Sequence, residues 1–262
     1  MRINLIGAGN VATHMGVAFR EAGHTVCGVF SRTVGSARTL AQKVGATPTT
    51  MLEELPEAEL YLFAVKDDAL PALARQLTDC RPAALPVHTA GSVPMSVFDG
   101  LSRHHGVIYP LQTLSKAKSV LFREVPCFVE ASDAETEQLL LKLANDISGK
   151  VQILDSERRA RLHLAAVFAS NFVNHCYAIA EQWLREEHLD ETLIYPLIQE
   201  TANKALQARA RDVQTGPAVR YDRRVLQKQE EMLARDPLRQ KIYELMSQSI
   251  HDYAQQQSDL TI

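Results

Sequence analysis

The sequence predicts an α/β fold in which a doubly wound sheet is followed by an all-α domain. Short apolar runs alternate with helical patterns over residues 1–155, the order that βαβ units produce. The run at 60–65 is continuously apolar, as a parallel strand covered on both faces requires. Beyond residue 155 glycine and proline become scarce and long helical patterns take over. We therefore predict two domains, at residues 1–155 and 156–262.

The elements of the first domain are predicted from apolar runs for strands and from 3.6-residue periodicity for helices. Strands are predicted at 2–6, 25–31, 60–65, 85–89, 106–109, 126–130 and 151–154, and helices at 10–22, 35–44, 69–77 and 134–148. The segment 47–49 is predicted to be a short link.

Long helices are predicted for the second domain, at about 156–187, 190–209, 221–234 and 238–256, with a loop at 211–220. The middle of the first of these helices, 164–169, is apolar all round, so it should be buried on all sides. Either other elements of the same chain or a partner subunit would bury it, and we expect a homodimer.

The composition excludes several classes of function. The chain has 262 residues, of which 46% are apolar and 23% charged, as in ordinary globular proteins. A net charge of −3 gives no reason to expect nucleic acid or a membrane as partner. No apolar run approaches the roughly 18 residues of a membrane helix, and the N-terminus does not resemble a signal peptide, so we expect a cytoplasmic protein.

The most informative motif is Gly7-x-Gly9-x-x-Ala12, which ends a predicted strand and begins a predicted helix. Glycine allows a tight turn at position 7 and a close approach of pyrophosphate at position 9, and Ala12 lets the helix pack near the sheet. The free N–H groups of the helix would face the phosphates. This dinucleotide fingerprint assigns the pyrophosphate to the turn, and its residues are Gly7, Ala8, Gly9, Asn10 and Val11.

The end of the second predicted strand indicates which dinucleotide binds. NAD-binding proteins place an acid roughly 20 residues after the glycines, whereas NADP-binding proteins place a cation there for the 2′-phosphate. This chain has Ser31, Arg32 and Thr33 at that place and no acid. A guanidinium pairs with phosphate through charge-assisted hydrogen bonds, so we predict NADP over NAD.

Further candidates follow the other predicted strands, because ligands of such sheets lie beyond the carboxyl ends of the strands. Ala64, Val65 and Lys66 should close over the cofactor. The stretch 88–92 should lie near the nicotinamide, with Thr89 at the cofactor, His88 as a candidate proton donor and Gly91 permitting close approach. A locally hydrogen-bonded, structural role for His88 stays open. Gln112 should line the same cleft.

Polar residues recur on the long helix in an apolar setting. On a straight helix Ser170 and Asn174 each fall within about 20° of His163, and Asn171 is displaced from it by about 80°. Along the axis His163 lies about 10 Å from Ser170. We therefore predict that Ser170, Asn171 and Asn174 form one substrate-orienting cluster, and His163 is a second candidate proton donor. The alternative is a satisfied structural network.

The segment 215–222 is a candidate substrate clamp, because a rigid Gly-Pro turn there carries a hydroxyl, a cation and an acid: Thr215, Arg220 and Asp222. An ordinary helix connection is the alternative. No spacing typical of a metal site or of a serine nucleophile is present, so we expect no metal.

Together, the stretches 7–12, 88–92, 109–113, 163–172 and 215–222 resemble a family of Rossmann-like proteins that pair an NADP-oxidoreductase domain with a helical C-terminal domain of unknown function. More distantly the chain is similar to pyrroline-5-carboxylate reductase, prephenate dehydrogenase and the 3-hydroxyacid dehydrogenases. In those relatives a long C-terminal helix lines the substrate cleft and dimers are usual. Prephenate dehydrogenases carry Ser-His where this chain has Ser170-Asn171, and the hydroxyacid dehydrogenases carry a lysine that we do not find.

The resemblance implies an NADP-dependent oxidoreductase that transfers a hydride to or from a C=O or C=N bond of a small polar metabolite. The rival from another class is a non-catalytic NADP-binding sensor or assembly protein. A polar pocket beside the cofactor would favour the enzyme, whereas a sensor would close over the cofactor without such a pocket.

Overall fold

The computed structural model describes residues 1–258, which fall into two compact units, Met1–Asn174 and the described residues from His175 onward. The predicted domain boundary after residue 155 followed the last strand. The structure groups the start of the long helix with the sheet, because Ser156 and Arg159 of this helix hydrogen-bond the strand residue Glu130.

A sheet of eight strands forms the centre of the first unit, in the order β3-β2-β1-β4-β5-β6-β7-β8. The strands are β1 Arg2–Ile6, β2 Thr25–Phe30, β3 Thr47–Thr49, β4 Leu60–Phe63, β5 Pro86–His88, β6 Gly106–Pro110, β7 Cys127–Ala131 and β8 Val151–Ile153. Neighbouring strands pair in parallel except β6 and β7, which are antiparallel. The doubly wound α/β fold is confirmed.

The prediction of a short link at 47–49 is wrong. Thr47–Thr49 is strand β3, whose Pro48 lies opposite Val29 of β2. Proline lacks an N–H donor, but β3 is an edge strand, where one side needs no partner. The strand predicted at 60–65 is shorter than predicted. It is β4, which ends at Phe63, and the next two residues, Ala64 and Val65, line a cleft.

Helices cover both faces of the sheet: α1 Asn10–Glu21, α2 Val34–Val44, α3 Leu70–Cys80, α4 Ala134–Ile147 and α5 Ser156–Ala166. Alternate residues of β4 join different cores, as a strand covered on both faces requires. Leu60 and Leu62 pack in the core that includes Met15 of α1, whereas Tyr61 and Phe63 pack in the core that includes Leu77 of α3.

The long helix that begins at Ser156 is not regular. Between α5 and helix α6, Val173–Glu186, the segment Val167–Phe172 is π-helical. The prediction that the middle of this helix is buried on all sides is not met within the first unit. Leu164 is 58% exposed and Phe168 is 61% exposed. Packing within the first unit therefore does not cover this apolar surface.

The second unit is helical, as predicted. After α6 it contains α7 Tyr195–Gln207, α8 Arg223–Met232 and α9 Pro237–Ser258. Among its described side chains, Ala218 and Leu226 are the only apolar ones that are buried. No helix within residues 1–258 is long and apolar enough to cross a membrane.

Candidate functional site

Two clefts of the first unit contain most of the predicted site residues. The first, which we call the glycine cleft, has a volume of about 470 Å³ and lies at the carboxyl ends of β1, β2 and β4. Its lining includes the predicted residues Gly7, Ala8, Gly9, Ser31, Arg32, Ala64, Val65 and Lys66. The structure thus brings together residues from three separate strand ends.

Gly7 is required by the backbone of the glycine cleft. Its φ is +115°, a conformation that side-chain-bearing residues rarely adopt, and a Cβ at this position would stand 2.3 Å from the carbonyl oxygen of Ala64. The turn and the segment after β4 are therefore in direct backbone contact. This contact places Ala64 and Val65 beside the turn, as the sequence predicts.

Gly9 has a different role, because a Cβ there would have no atom within 4 Å. Gly9 is the N-cap of α1 and has no side chain with which to cap the helix, and the first turn contains no acidic residue. The N–H groups of this turn and the positive end of the helix dipole therefore suit a phosphate. The open space over Gly9 and the partial positive charge beneath it fit a dinucleotide pyrophosphate.

The end of β2 supplies polar side chains to the same cleft. Ser31 and the exposed Arg32 line it. Thr33 instead caps α2, where its hydroxyl accepts the N–H of Ser36 and donates to the Ser36 Oγ at 2.8 Å. Ser36 also lines the cleft, and the sequence analysis missed it. The sequence signal that could have indicated Ser36 is its position three residues after the N-cap threonine, in the first turn of the helix that follows β2.

Three other predicted cofactor residues are engaged elsewhere. Asn10 Nδ2 donates to the Leu114 carbonyl at 2.8 Å. Val11 packs against the apolar core. The Thr89 hydroxyl donates to the Phe63 carbonyl at 3.2 Å and is buried.

His88, one of the two candidate proton donors, is fully buried at the end of β5. Its ring lies 5.6 Å from that of Phe98, and its Nδ1 accepts the N–H of Ala90. Burial, together with the charge of Arg159, lowers the pKa of His88 to about 3. The imidazole is therefore neutral at physiological pH, which supports the structural role that the sequence analysis left open.

The second cleft, which we call the helix cleft, lies between the segment after β6 and the long helix and has a volume of about 580 Å³. Its polar lining consists of Tyr109, Gln112, Thr113, His163, Ser170 and Asn171, and its apolar lining comes mostly from α5 and the π-helical segment. Four of the predicted residues, Gln112, His163, Ser170 and Asn171, therefore face one cavity.

A tyrosine and a histidine are hydrogen-bonded to each other in the helix cleft. The Tyr109 hydroxyl lies 2.9 Å from Nδ1 of His163. Burial raises the pKa of Tyr109 above its usual value, so the phenol keeps its proton at neutral pH. Gln112 of the same segment was predicted to line the cleft, but the Tyr109 hydroxyl was not chosen as a site group, because only the fold brings residues 109 and 163 together.

Gly91 is close to this pair, and its predicted role needs correction. A Cβ at Gly91 would lie 2.6 Å from Nδ1 of His163. The glycine therefore makes room for the imidazole ring, and not for the nicotinamide as the sequence predicted.

The π-helical segment changes which residues share a face. An i→i+5 turn takes about one more residue than an α-turn, so later side chains are turned back by about 100° relative to a straight helix. This rotation brings Asn171 to the face of His163, and both line the helix cleft. The predicted cluster of Ser170, Asn171 and Asn174 is wrong for Asn174, which follows the π-helical segment and does not line the helix cleft.

A buried ion pair fixes the first turn of α5 against the sheet. The guanidinium of Arg159 is fully buried and pairs with Glu130 of β7. It also donates to the Val93 carbonyl at 2.7 Å, and Ser156 Oγ donates to Glu130 at 2.7 Å. Because Arg159 precedes His163 by one helical turn, this network holds the helix that carries His163.

The predicted clamp residues belong to the second unit. Gly216 adopts a φ of +107°, which glycine tolerates. The Asp222 carboxylate is the N-cap of α8 and accepts the N–H of Val225 at 3.4 Å, whereas Thr215 and Arg220 are exposed. Asp222 therefore has a structural partner, as an ordinary helix connection would provide.

Comparison with known proteins agrees with this architecture. Residues 1–113 match the Rossmann-like domain, and residues 125–250 match a domain of unknown function, DUF2520. A Bacteroides fragilis protein, described as a "putative NADP oxidoreductase", has a crystal structure that matches at a TM-score of 0.91 and 47% identity, over 96% of this chain and 98% of that one. The chain belongs to this family of Rossmann-like proteins with a DUF2520 domain.

Other structures share the fold of this Rossmann–DUF2520 chain at lower identity. A Thermotoga maritima protein matches at a TM-score of 0.73 and 22% identity, over 98% of this chain and 99% of that one. An imine reductase from Myxococcus stipitatus in complex with NADP+ matches at 0.67 and 16%, over 97% and 94%. A pyrroline-5-carboxylate reductase from Coxiella burnetii matches at 0.57 and 16%, over 97% of both chains. No curated protein matches the chain in sequence.

Proposed function

We propose that this protein is an NADP-dependent oxidoreductase that transfers a hydride to or from a C=O or C=N bond of a small polar metabolite. The observation that carries the proposal is the pairing of Tyr109 with His163 in a polar cleft of the unit that also contains the dinucleotide fingerprint.

The cofactor assignment rests on the glycine cleft. The turn from Gly7 to Gly9 would hold the pyrophosphate, and Arg32 with Ser31 and Ser36 would hold the 2′-phosphate of NADP. The NADP named for the Bacteroides fragilis relative supports this assignment. A preference for NADP over NAD follows from the guanidinium at the end of β2, where an NAD-binding site would place an acid.

The helix cleft would supply substrate binding and a proton. The nicotinamide supplies or receives the hydride when it is bound. Tyr109 holds a proton on its hydroxyl, and His163 Nδ1 is placed to exchange it. Gln112, Ser170 and Asn171 provide amide and hydroxyl groups that would orient a polar substrate.

A polar cleft of about 580 Å³ also bears on the rival hypothesis of a non-catalytic sensor. A protein that only senses NADP needs no second cavity lined by a phenol, an imidazole and amides. The missing prephenate-type histidine at Asn171 does not leave the cleft without a proton donor, because Tyr109 and His163 both line it.

The proposal includes a homodimer. Leu164, Phe168 and Phe172 are exposed large apolar side chains, and Phe168 packs edge-on against Phe172 with 4.9 Å between ring centroids. Monomeric proteins rarely leave large apolar patches uncovered. Sedimentation velocity should therefore give a dimer, and Phe168→Glu should give monomers. A monomeric wild type at micromolar concentration would contradict this part of the proposal.

Calorimetric titration with NADPH and with NADH tests the proposal. We expect tight NADPH binding, weaker NADH binding, and a loss of NADPH affinity of at least about tenfold in Arg32→Ala. Arg158→Ala is the matched control, since Arg158 is an exposed arginine of α5 that pairs locally with Asp155. If neither dinucleotide binds, the proposed function is wrong. If NADPH binds, keto acids and cyclic imines are the substrates to screen.

A further inference from the structure

The segment Leu114–Lys116, which we call the latch segment, is hydrogen-bonded to the glycine turn and α1. Lys116 Nζ donates to the Ala8 carbonyl at 2.7 Å. Asn10 Nδ2 donates to the Leu114 carbonyl at 2.8 Å, and His14 Nε2 donates to the Ser115 carbonyl at 2.9 Å. Residues more than 100 positions apart in sequence are thus joined at the fingerprint motif.

These hydrogen bonds alone contribute little to the stability of the fold. Ser115 and Lys116 are exposed, and exposed polar contacts contribute little to stability because water competes for the same groups. The position of the lysine is more informative. Ala8 lies between Gly7 and Gly9 and lines the glycine cleft. The hydrogen bond therefore holds an ammonium group beside the glycine turn.

The Lys116 ammonium group has N–H donors that could bind a ligand. A lysine side chain has three N–H donors, and the Ala8 carbonyl takes one. Pyrophosphate carries negative charge on both phosphates, whereas the glycine turn offers only neutral N–H groups and a helix dipole. A full positive charge next to the turn complements what the backbone lacks.

We propose that Lys116 binds the pyrophosphate of the dinucleotide, held over the glycine turn by the latch segment. This inference rests on the proposed function, since it requires that a dinucleotide binds. The pyrophosphate is favoured over the 2′-phosphate because Lys116 contacts the turn itself, whereas Arg32 and Ser36 follow β2.

The choice of phosphate makes the inference testable by titration. NADPH and NADH share the pyrophosphate, and only NADPH carries the 2′-phosphate. Lys116→Gln keeps a donor for the Ala8 carbonyl and removes the charge. We expect it to weaken NADPH and NADH by the same factor, about tenfold, and we expect the loss to shrink at high ionic strength. Arg32→Ala should weaken NADPH alone.

Lys118→Gln is the matched control, because Lys118 is an exposed lysine of the same loop with no side-chain hydrogen bond to the described residues. It should leave both affinities unchanged, and Lys116→Arg should recover most of the loss. Thermal unfolding should show that Lys116→Gln is as stable as the wild type.

Three results would overturn the inference. If Lys116→Gln binds both dinucleotides as the wild type does, the lysine only latches the loop. If Lys116→Gln loses NADPH affinity but not NADH affinity, its partner is the 2′-phosphate. If the wild type binds neither dinucleotide, the proposed function fails and this inference fails with it. The first two results leave the proposed function intact.

Discussion

The glycine cleft and the helix cleft are built in different ways. The glycine cleft is made largely from backbone, with a positive φ at Gly7 and the uncapped start of α1. The helix cleft is made from side chains of segments distant in sequence, with Tyr109 on β6 and His163 on α5. A backbone site follows from local sequence, whereas a side-chain site depends on packing between distant segments. Substitutions in the two clefts should therefore change different properties among stability, NADPH affinity and turnover.

The largest effect is expected from the ion pair that supports the helix cleft. Arg159→Met leaves Glu130 partly buried without its cation, and breaking a buried pair costs about 3–5 kcal/mol. Arg161→Met, which removes an exposed partner of Glu157 on the same helix, should change little. Chemical denaturation measures both. Equal stability of the two variants would contradict the role assigned to Arg159, and folded Arg159→Met should keep wild-type NADPH affinity.

The two fingerprint glycines should separate folding from binding. Gly7→Ala places a Cβ against the Ala64 carbonyl at a positive φ, so we expect a loss of about 1–3 kcal/mol in stability and a loss of NADPH binding. Gly9→Ala has open space around the new Cβ, so stability should stay near that of the wild type while NADPH affinity falls. Thermal unfolding and calorimetry on both variants check this. Full NADPH affinity in Gly9→Ala would show that no phosphate approaches there.

His88 should make stability depend on pH. Its pKa is about 3 in the native state, against 6.5 for an ordinary histidine. Above pH 6.5 it is neutral in both states and contributes no pH dependence. As pH falls from 6.5 toward 3, the unfolded chain binds a proton that the native state cannot, so stability falls by about 1.4 kcal/mol per pH unit. Denaturation midpoints at several pH values should show a smaller slope in His88→Asn than in the wild type.

An exposed histidine provides the comparison for that measurement. His175→Asn should keep the wild-type slope, because His175 is exposed. If His88→Asn also keeps it, His88 is protonated in the native state and its role as a proton donor reopens.

The smallest effect is expected at Asn171. Asn171→Ala removes an amide from the helix cleft and none from the glycine cleft, so turnover should fall by about tenfold while NADPH affinity stays unchanged. Oxidation of NADPH with keto acids or cyclic imines gives turnover, and calorimetry gives affinity. Equal losses in both would count against a substrate-orienting role. Asn174→Ala, which changes an exposed amide on the same helix, is the control.

The two clefts also differ in what the sequence could predict. The common position of Gly7, Gly9 and Arg32 at one cleft could be predicted, because each belongs to a turn or strand end that is visible in the local sequence. The strand at Thr47–Thr49 was missed because proline hides an edge strand, and the pairing of Tyr109 with His163 was missed because it joins positions 54 residues apart. The role of Gly91 was misassigned, since only the folded chain shows that an imidazole occupies the space beside it.

The π-helical segment lets the helix that lines the helix cleft absorb a change in chain length. A helix with one wide turn can lose a residue there and remain helical. Deleting one residue from 167–170 would close the wide turn into an α-helical turn, and His163 and Asn171 would then lie seven positions apart on a straight helix, still within about 20° of one another. A single-residue gap at this place in an alignment of relatives would therefore mark the loss of the wide turn, whereas the polar residues on either side would still face the same cleft.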